Sequence, residues 1–387
     1  MTRSTERPAD PAGADADTGS SAATGERQRV IRLAETVTFT RTEDGLRLFR
    51  GVDALRIKGP ADALLVAANR LTAGISWVEL LGCPSRSPMR QMERRLRSIG
   101  WIVEHDRDHG AGTSTERQVG YLTLFGADAV TMQQRLDSAR VGVLGVGAVG
   151  SVLAQHLVGS GVRRLWLVDH DRIALHNLNR QFLAGRSDVG GAKTAVAARA
   201  LRRLAPSLQV HRVDRQIRAA EELDALPANL NLLAIAADTP WDIVSIAWEW
   251  ARPRGVPICV AAVGLGTGYW GPLLVPGLGH CWDCFERLRQ AELTGPDALA
   301  ELDQGEATPY SFGPANTVVS ALLAHEAVRF LASGECGVIN ERRIIRFAEN
   351  RMSYFSGSHC TCGASQDPVA SMASPHTSHT SAPLENR

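Results

Sequence analysis

The sequence predicts an α/β protein with a doubly wound sheet, preceded by a small winged-helix-like α+β domain. Two observations carry this. Between residues 141 and 263 five short apolar runs, VGVLGV, RLWLVD, LQVHRV, NLLAIAA and PICVAAV, alternate with helical patterns, several of them rich in alanine. That alternation is the signature of parallel strands with helices on both faces. Upstream, three β-prone segments are followed by three helical ones and a closing strand, the element content of a compact winged module.

In chain order, residues 1–27 are rich in Ala, Thr, Asp and Pro with almost no large apolar side chains. Such a segment cannot bury enough surface to offset ordering entropy, so it is expected to be a disordered tail. The first domain is placed at 28–106. VTFT, LRLFR and ALRI read as strands, separated by a turn at EDG and a loop at GVD. PADALLVAANRL, ISWVELL and SPMRQMERRLRSIGW read as helices, with Met89, Met92, Leu96 and Ile99 on one face of the third, and WIVEH closes the module as a strand. The polar, glycine-bearing stretch 107–115 is the expected linker. Residues 116–363 form the second domain, and 364–387 a second tail of the same texture as the first.

Bulk composition excludes more than it suggests. The chain has 387 residues, a formal net charge of +1, 44% hydrophobic and 21% charged residues, so nothing favours nucleic acid or a membrane surface as partner. The N-terminus has no apolar core for a secretory signal, and the most apolar stretch, 141–162, is interrupted by Gln155, His156 and six glycines. A cytoplasmic protein is expected. Arg90, Arg94, Arg95 and Arg97 make the third helix basic, but residues 30–106 hold 12 basic against 9 acidic residues, which favours a solvated face over a DNA-reading one.

Function begins at Gly145-x-Gly147-x-x-Gly150, between an apolar run and a helical pattern. Glycines in this position allow a tight strand-to-helix turn and close approach of backbone to a phosphate, which then sits at the helix N-terminus. The acid expected about 20 residues on, to hold a ribose, is Asp169 in LWLVDHD. To this point a dehydrogenase fits equally well. Arg180 and Lys193, 11 and 24 residues after Asp169, change the balance. Two cations near a ribose-binding acid are what a triphosphate needs if an oxyanion is to attack its α-phosphorus, although surface cations are also common without such a role. Asp238, in AIAADTP after a later strand, suits Mg²⁺ on those phosphates or a helix N-cap.

The set GVGAVG, VDHD, NLNRQ, GGAK and AADTP, in this order and spacing, resembles the ThiF/MoeB/ubiquitin-activating-enzyme family of ATP-dependent adenylyltransferases. The resemblance implies a Rossmann-like ATP-binding domain in which Asp169 holds the ribose, Arg180 and Lys193 the phosphates and Asp238 the Mg²⁺. Asn177 and Gln181 match amides of the nucleotide site. ERQVGYLTLFG places Arg117 and Gln118 at an Arg-Gln pair whose arginine, in the family, reaches the neighbouring subunit's γ-phosphate, implying a homodimer. AADTPWDIVSIAWEWA and WGPLLVPGLGHCWDC are most similar to the MccB-like peptide adenylyltransferases, in which a small winged peptide-clamp domain comes first. The module at 28–106 also resembles a PqqD-like RiPP recognition element. Its implied partner is a leader or short precursor peptide, added as a strand to a sheet edge.

Cys281 and Cys284, with Cys360 and Cys362, resemble the family's four-cysteine structural zinc site. The second pair is C-x-C where the family has C-x-x-C, and His359 is an alternative ligand to Cys360. Cys259 reads as a core residue, and no cysteine is obviously placed as a thioester nucleophile. The expected activity is adenylylation of a ribosomally made peptide's carboxylate with release of pyrophosphate. The alternatives are activation of a sulfur-carrier or ubiquitin-like C-terminus, and a leader-binding scaffold without catalysis.

Overall fold

The computed structural model describes residues 30–104, 112–126, 128–292 and 310–357. Both expected tails fall outside these residues, as do positions 358–363 at the end of the expected second domain. So does most of the expected linker. Among the described residues no helix is long and apolar enough to cross a membrane.

The N-terminal module is α+β. Strands β1 (Val30–Leu33), β2 (Val37–Thr42), β3 (Gly45–Arg50) and β4 (Asp53–Lys58) precede helix α1 (Ala61–Ala73), the two-residue strand β5 (Ile75–Ser76), helices α2 (Trp77–Gly82) and α3 (Pro88–Ser98), and strand β6 (Ile102–Glu104). β2, β3 and β4 form an antiparallel meander, and β1 lies between β5 and β6 in a second small sheet. Strand β1, the middle strand of that sheet, escapes the sequence reading because VIRL is too short to show alternation. Met89, Met92 and Leu96 of α3 are buried as expected, but Ile99 is 44% exposed. The helix ends one residue before it, so Ile99 leaves the apolar stripe that helical spacing assigned to it. Arg97 is not a free solvated charge: it pairs with Glu93 and Glu104 and lies over the Trp77 ring.

The second domain opens with helices α4 (Glu116–Leu122) and α5 (Ala129–Ser138). It continues through β7 (Arg140–Leu144), α6 (Ala148–Gly159), β8 (Arg164–Val168), α7 (Lys193–Leu204), β9 (Gln209–Val213), β10 (Leu232–Ile235), α8 (Ile243–Ala251) and β11 (Ile258–Val263). Strand β12 (Thr267–Leu274), helices α9 (Trp282–Glu292) and α10 (Gly313–Ser333), and strands β13 (Glu341–Arg346) and β14 (Arg351–Ser356) follow. One eight-stranded sheet runs in the order β14-β13-β12-β11-β10-β7-β8-β9. Its last five strands are parallel, as the five apolar runs predict.

Alternate residues of the central strands feed two cores. Val141, Val143, Leu232 and Ala234 pack with Leu153 and Leu157 of α6 and Leu323 of α10. Leu144, Leu233 and Ile235 pack with Ile246 and Trp250 of α8 and Phe285 of α9 on the opposite face. β9 departs from the expectation of burial on both faces, since none of its residues is fully buried. It is the sheet edge, where Trp166 of β8 stacks on His211 at 4.8 Å between ring centres. The antiparallel strands β12 to β14 were not among the predicted strands. WGPLLVPGLG carries two prolines and three glycines, which weaken any local strand signal.

Candidate functional site

Strand order reverses between β7 and β10: the chain runs β7, β8, β9 to one side and returns to the other side of β7 with β10. Loops that leave the C-terminal ends of these two strands diverge, and in open α/β sheets ligands bind in the crevice between them. A cleft of about 800 Å³ lies there. Gly145, Gly147, Asp169, Asn177, Arg180, Gln181, Lys193 and Asp238 all line it.

The three glycines do different work. Gly145 has φ +89°, and a Cβ on it would lie 2.6 Å from the Ala237 nitrogen, so this turn and its contact with the end of β10 exclude a side chain. A Cβ on Gly150 would fall on the Gly145 carbonyl oxygen, so this glycine lets α6 pack against the turn. Around Gly147, the N-cap of α6, a Cβ would meet no protein atom within 4 Å. Its bareness faces the cleft, where the unbonded N–H groups of the first helical turn attract an anion.

Asp169 ends β8 and is tied to this loop. Its Oδ2 accepts from the Val146 N–H at 2.7 Å and its Oδ1 from the Asp171 N–H at 2.8 Å. A carboxylate fixed at both oxygens keeps further lone pairs for ribose hydroxyls. Residues 171–173 then pair with 190–193: the Ile173 N–H donates to Gly191, the Gly190 N–H to Ile173 and the Lys193 N–H to Asp171. This clasp seats Lys193, the first residue of α7, with its Nζ 2.7 Å from Asp171 Oδ2. Burial pushes the Asp171 carboxyl up, but the Lys193 hydrogen bond and charge, with His170 adding to them, outweigh it and hold it below the usual carboxylate range. Asp171 was not among the predicted site residues. Its signal was present, as the second acid of VDHD.

Arg180 and Gln181 follow a turn in which Asn177 Oδ1 caps the Ala174 N–H at 2.9 Å. Arg180 is half-buried and donates to the His176 carbonyl at 2.7 Å and to Asn179 Oδ1 at 3.0 Å. Gln181 is buried in the cleft wall, and its Oε1 has no hydrogen-bond partner among the described residues. Asp238 is exposed on the loop after β10 and receives the Thr239 hydroxyl at 3.3 Å. It does not cap α8, whose N-cap is Asp242.

A chain match decides the family at this point: the ThiF family model covers residues 115–366. The chain belongs to the ThiF family. Among ThiF-type relatives, the sulfur carrier protein adenylyltransferase of Thermus thermophilus is 29% identical over 203 residues, 51% of this chain and 71% of that protein. The adenylyltransferase and sulfurtransferase UBA4 of Candida glabrata is 28% identical over 211 residues, 54% of this chain but only 46% of UBA4. Crystal structures of E. coli MccB share the fold. One, with MccA-N7isoASN, has a TM-score of 0.74 at 23% identity, covering 87% of this chain and 99% of MccB. Another, with ATP, has a TM-score of 0.73 at 23% identity, covering 87% and 98%. The likeness to MccB therefore includes the N-terminal α+β module as well as the ThiF domain.

Two predicted sites stand apart from the cleft. Arg117, exposed on α4, does not line it. Its neighbour Gln118 donates to the Ser160 carbonyl at 2.7 Å, at the C-terminal end of α6. The 12 residues of α6 put that end roughly 18 Å from the glycine turn. Cys281 and Cys284 flank the start of α9, and Gly357, the last described residue, packs against the His280 ring. Cys360 and Cys362, like His359, lie outside the described residues. Cys259 is fully buried, and burial pushes its thiol far up, which leaves it inert as a nucleophile.

Proposed function

We propose that this protein is an ATP-dependent nucleotidyltransferase that adenylylates the carboxylate of a ribosomally made peptide. The observation that carries the reading is the convergence, in one cleft at the sheet's switch point, of a bare helix N-terminus at Gly147, a fixed carboxylate at Asp169, two cations at Arg180 and Lys193, and an exposed acid at Asp238. In this reading Asp169 holds the ribose of ATP, Asn177 and Gln181 add amide contacts, and Arg180 and Lys193 hold the phosphates. Mg²⁺, bound at Asp238, supplies charge neutralisation on the polyphosphate. A peptide carboxylate oxygen attacks the α-phosphorus. A new O–P bond forms, the bond to the bridging α,β-oxygen breaks, and pyrophosphate leaves. Catalysis is positioning and charge neutralisation, with no covalent enzyme intermediate.

Arg117 enters the site of a second copy in a homodimer. The groove beside it, lined by Tyr121, Phe125, His156 and His325, gives such a copy an apolar seat. The N-terminal module holds the distal part of the peptide as an added strand, so that remote binding energy aligns the reacting carboxylate. Cys281, Cys284, Cys360 and Cys362 hold a structural zinc ion. MccB, described as a microcin C7 biosynthetic enzyme and solved with ATP and with N-formylated MccA, supports the peptide reading through a shared two-part architecture. The sulfur carrier protein adenylyltransferase of Thermus thermophilus and UBA4 of Candida glabrata favour the second reading, activation of a carrier-protein C-terminus.

ATP–pyrophosphate exchange separates these. We expect exchange to depend on short peptides encoded beside the gene and to vanish in Lys193→Ala. Exchange driven by a carrier protein and by no peptide supports the second reading. Peptide binding without exchange leaves only a scaffold.

A further inference from the structure

The N-terminal module does not hang from the ThiF domain by chain connectivity alone. The turn after β1, closed by the Val37 N–H on the Ala34 carbonyl, lies against α4, the first helix of the second domain. Thr36 Oγ1 is 3.2 Å from Oγ1 of Thr123, the residue that ends α4. Glu35 lies along the same helix. Its Oε2 is 2.9 Å from the place a Cβ on Gly120 would take, so the bare backbone at Gly120 is what admits the carboxylate.

Proton counting gives this contact a direction. A threonine hydroxyl has one proton to donate. That of Thr123 goes to the Gly120 carbonyl at 2.7 Å, so between the two hydroxyls Thr36 donates and Thr123 accepts. Thr36 in turn accepts from Arg50 Nε at 3.2 Å. A continuous relay therefore runs from Arg50, at the end of β3, through Thr36 and Thr123 to the backbone of α4. Arg50 is 8% exposed and Thr123 1%. Water weakens such bonds little, and breaking one strands its partner.

Both ends of the relay are anchored. Inside the module, Arg50 Nη1 donates to the Gly100 carbonyl at 2.7 Å and the Ala34 N–H to the Trp101 carbonyl at 3.0 Å. The seam is thus tied to the turn that joins α3 to β6, an outer strand of the small sheet. Buried Arg32 braces Glu35 at 3.0 Å. On the other side, Val119 and Leu122 of α4 pack with Leu136 of α5 and Ala332 of α10, and Gln118 holds the Ser160 carbonyl at the end of α6.

A module on a free tether offers a spread of distances to the cleft, which peptides of many lengths can bridge, whereas a docked module offers one distance. Each missing residue leaves a peptide about 3.5 Å short. An extra residue loops out at a small entropic cost.

Resting on the peptide reading above, we infer that the Arg50–Thr36–Thr123 seam determines specificity for peptide length: it fixes the span between the peptide-holding module and the cleft, and so sets the shortest peptide that the enzyme activates. None of the three residues lines the cleft, so they act as positioning residues.

Pyrophosphate exchange by the full-length protein tests this, with the peptide encoded beside the gene as the probe. The two ends of the peptide are kept, and its middle is replaced by Gly/Ser runs of stepwise length. In wild type, kcat/KM is expected to drop at least about tenfold once the peptide is about two residues shorter than the best length, and to decline slowly above it. Thr36→Val removes the middle link of the relay with little change of shape. It is expected to bring the short peptides within about threefold of the best one, while kcat at saturating peptide and the Kd for ATP stay those of wild type. Thr123→Val should do the same from the other side, and Thr36→Ser, which keeps the hydroxyl, should retain the wild-type profile. A wild-type rate indifferent to length overturns the fixed span and leaves peptide activation standing. A profile unchanged in both valine variants, or lowered by one factor at every length, overturns the part given to the seam. Exchange driven by a sulfur-carrier protein alone, or by nothing offered, overturns peptide activation and the span with it. Thr36 is half-buried, and where valine there fails to fold, Thr36→Ala carries the same test.

Discussion

Lys193 Nζ and Asp171 Oδ2 are 2.7 Å apart, so the cation at the start of α7 is held to the end of β8 by a carboxylate that sits two residues beyond Asp169. On the adenylylation reading, the pair preorganises the ammonium beside the phosphates, and an incoming triphosphate competes with Asp171 for it. Lys193→Ala is expected to lower the exchange rate about 100-fold or more, the scale of a lost charge-stabilising donor. Asp171→Asn keeps the ammonium but loosens its position, so a loss of about tenfold is expected, with ATP still bound. Steady-state exchange kinetics and ATP titration check both. Equal losses in the two variants contradict a supporting role for Asp171.

The same pair has a pH signature. The Asp171 carboxyl lies below its ordinary value in the folded protein, so its contribution to stability is complete above the unfolded carboxylate pKa and is lost as pH falls through the lowered folded value. The stability difference between wild type and Asp171→Asn should be constant from neutral pH down to about pH 5 and shrink only below about pH 4. Urea unfolding at a series of pH values measures it. A difference that already changes between pH 7 and 6 contradicts the assignment to the Asp171 carboxyl.

The glycines separate packing from binding. Gly150→Ala forces a methyl onto the Gly145 carbonyl and is expected to destabilise the fold by about 2 kcal/mol or more. Gly147→Ala meets no protein atom, so stability should change by less than about 0.5 kcal/mol while ATP affinity drops about tenfold. Thermal unfolding with and without ATP reads out both. A Gly147→Ala protein that binds ATP normally removes the glycine turn from the phosphate site.

Most of this site was legible because its parts are short-range. Gly145, Gly147, Asp169 and Asp238 follow strand ends, which apolar runs mark, and Arg180 and Lys193 stand within 24 residues of Asp169, Lys193 at the start of α7. Arg342 and Arg289 were not legible: they come from β13 and α9, about 50 residues apart in the chain, and only the antiparallel extension of the sheet brings them to the cleft. Asp171 was visible as a residue but not as the partner of Lys193, because the clasp between 171–173 and 190–193 is a tertiary pairing across a loop. Ile99 shows the opposite failure. Its spacing was right, and the helix ended first.

Arg117 permits a test that a single-chain role cannot pass. Its neighbour Gln118 is anchored at the far end of α6, roughly 18 Å from the chain's own glycine turn, so a catalytic part for Arg117 requires a second copy. Arg117→Ala and Lys193→Ala should each be nearly inactive as homodimers. Mixed and allowed to exchange subunits, they form heterodimers in which one site lacks both residues and the other has both. Half of the dimers are then mixed, with one working site in two, so about a quarter of wild-type activity should return. Recovery of that size fixes Arg117 as acting in trans, whereas a mixture as inactive as its components shows that it does not act across the dimer.

The two ends of the proposed zinc site are far apart in sequence and are joined only if the chain after β14 folds back on α9, where Gly357 already packs against His280. Purified protein should therefore carry about one zinc per chain, and chelation should lower the thermal midpoint by several degrees, because a metal that binds only the folded state adds its binding energy to folding. Cys281→Ser should lose the metal and the same stability. His359→Ala and Cys360→Ser distinguish the fourth ligand, since the variant that removes a true ligand releases zinc and the other retains it. Less than about half an equivalent of zinc, with a midpoint indifferent to chelator, leaves Cys281 and Cys284 without a metal role and the end of the sheet held by the Phe285–Phe355 contact, 5.1 Å between ring centres.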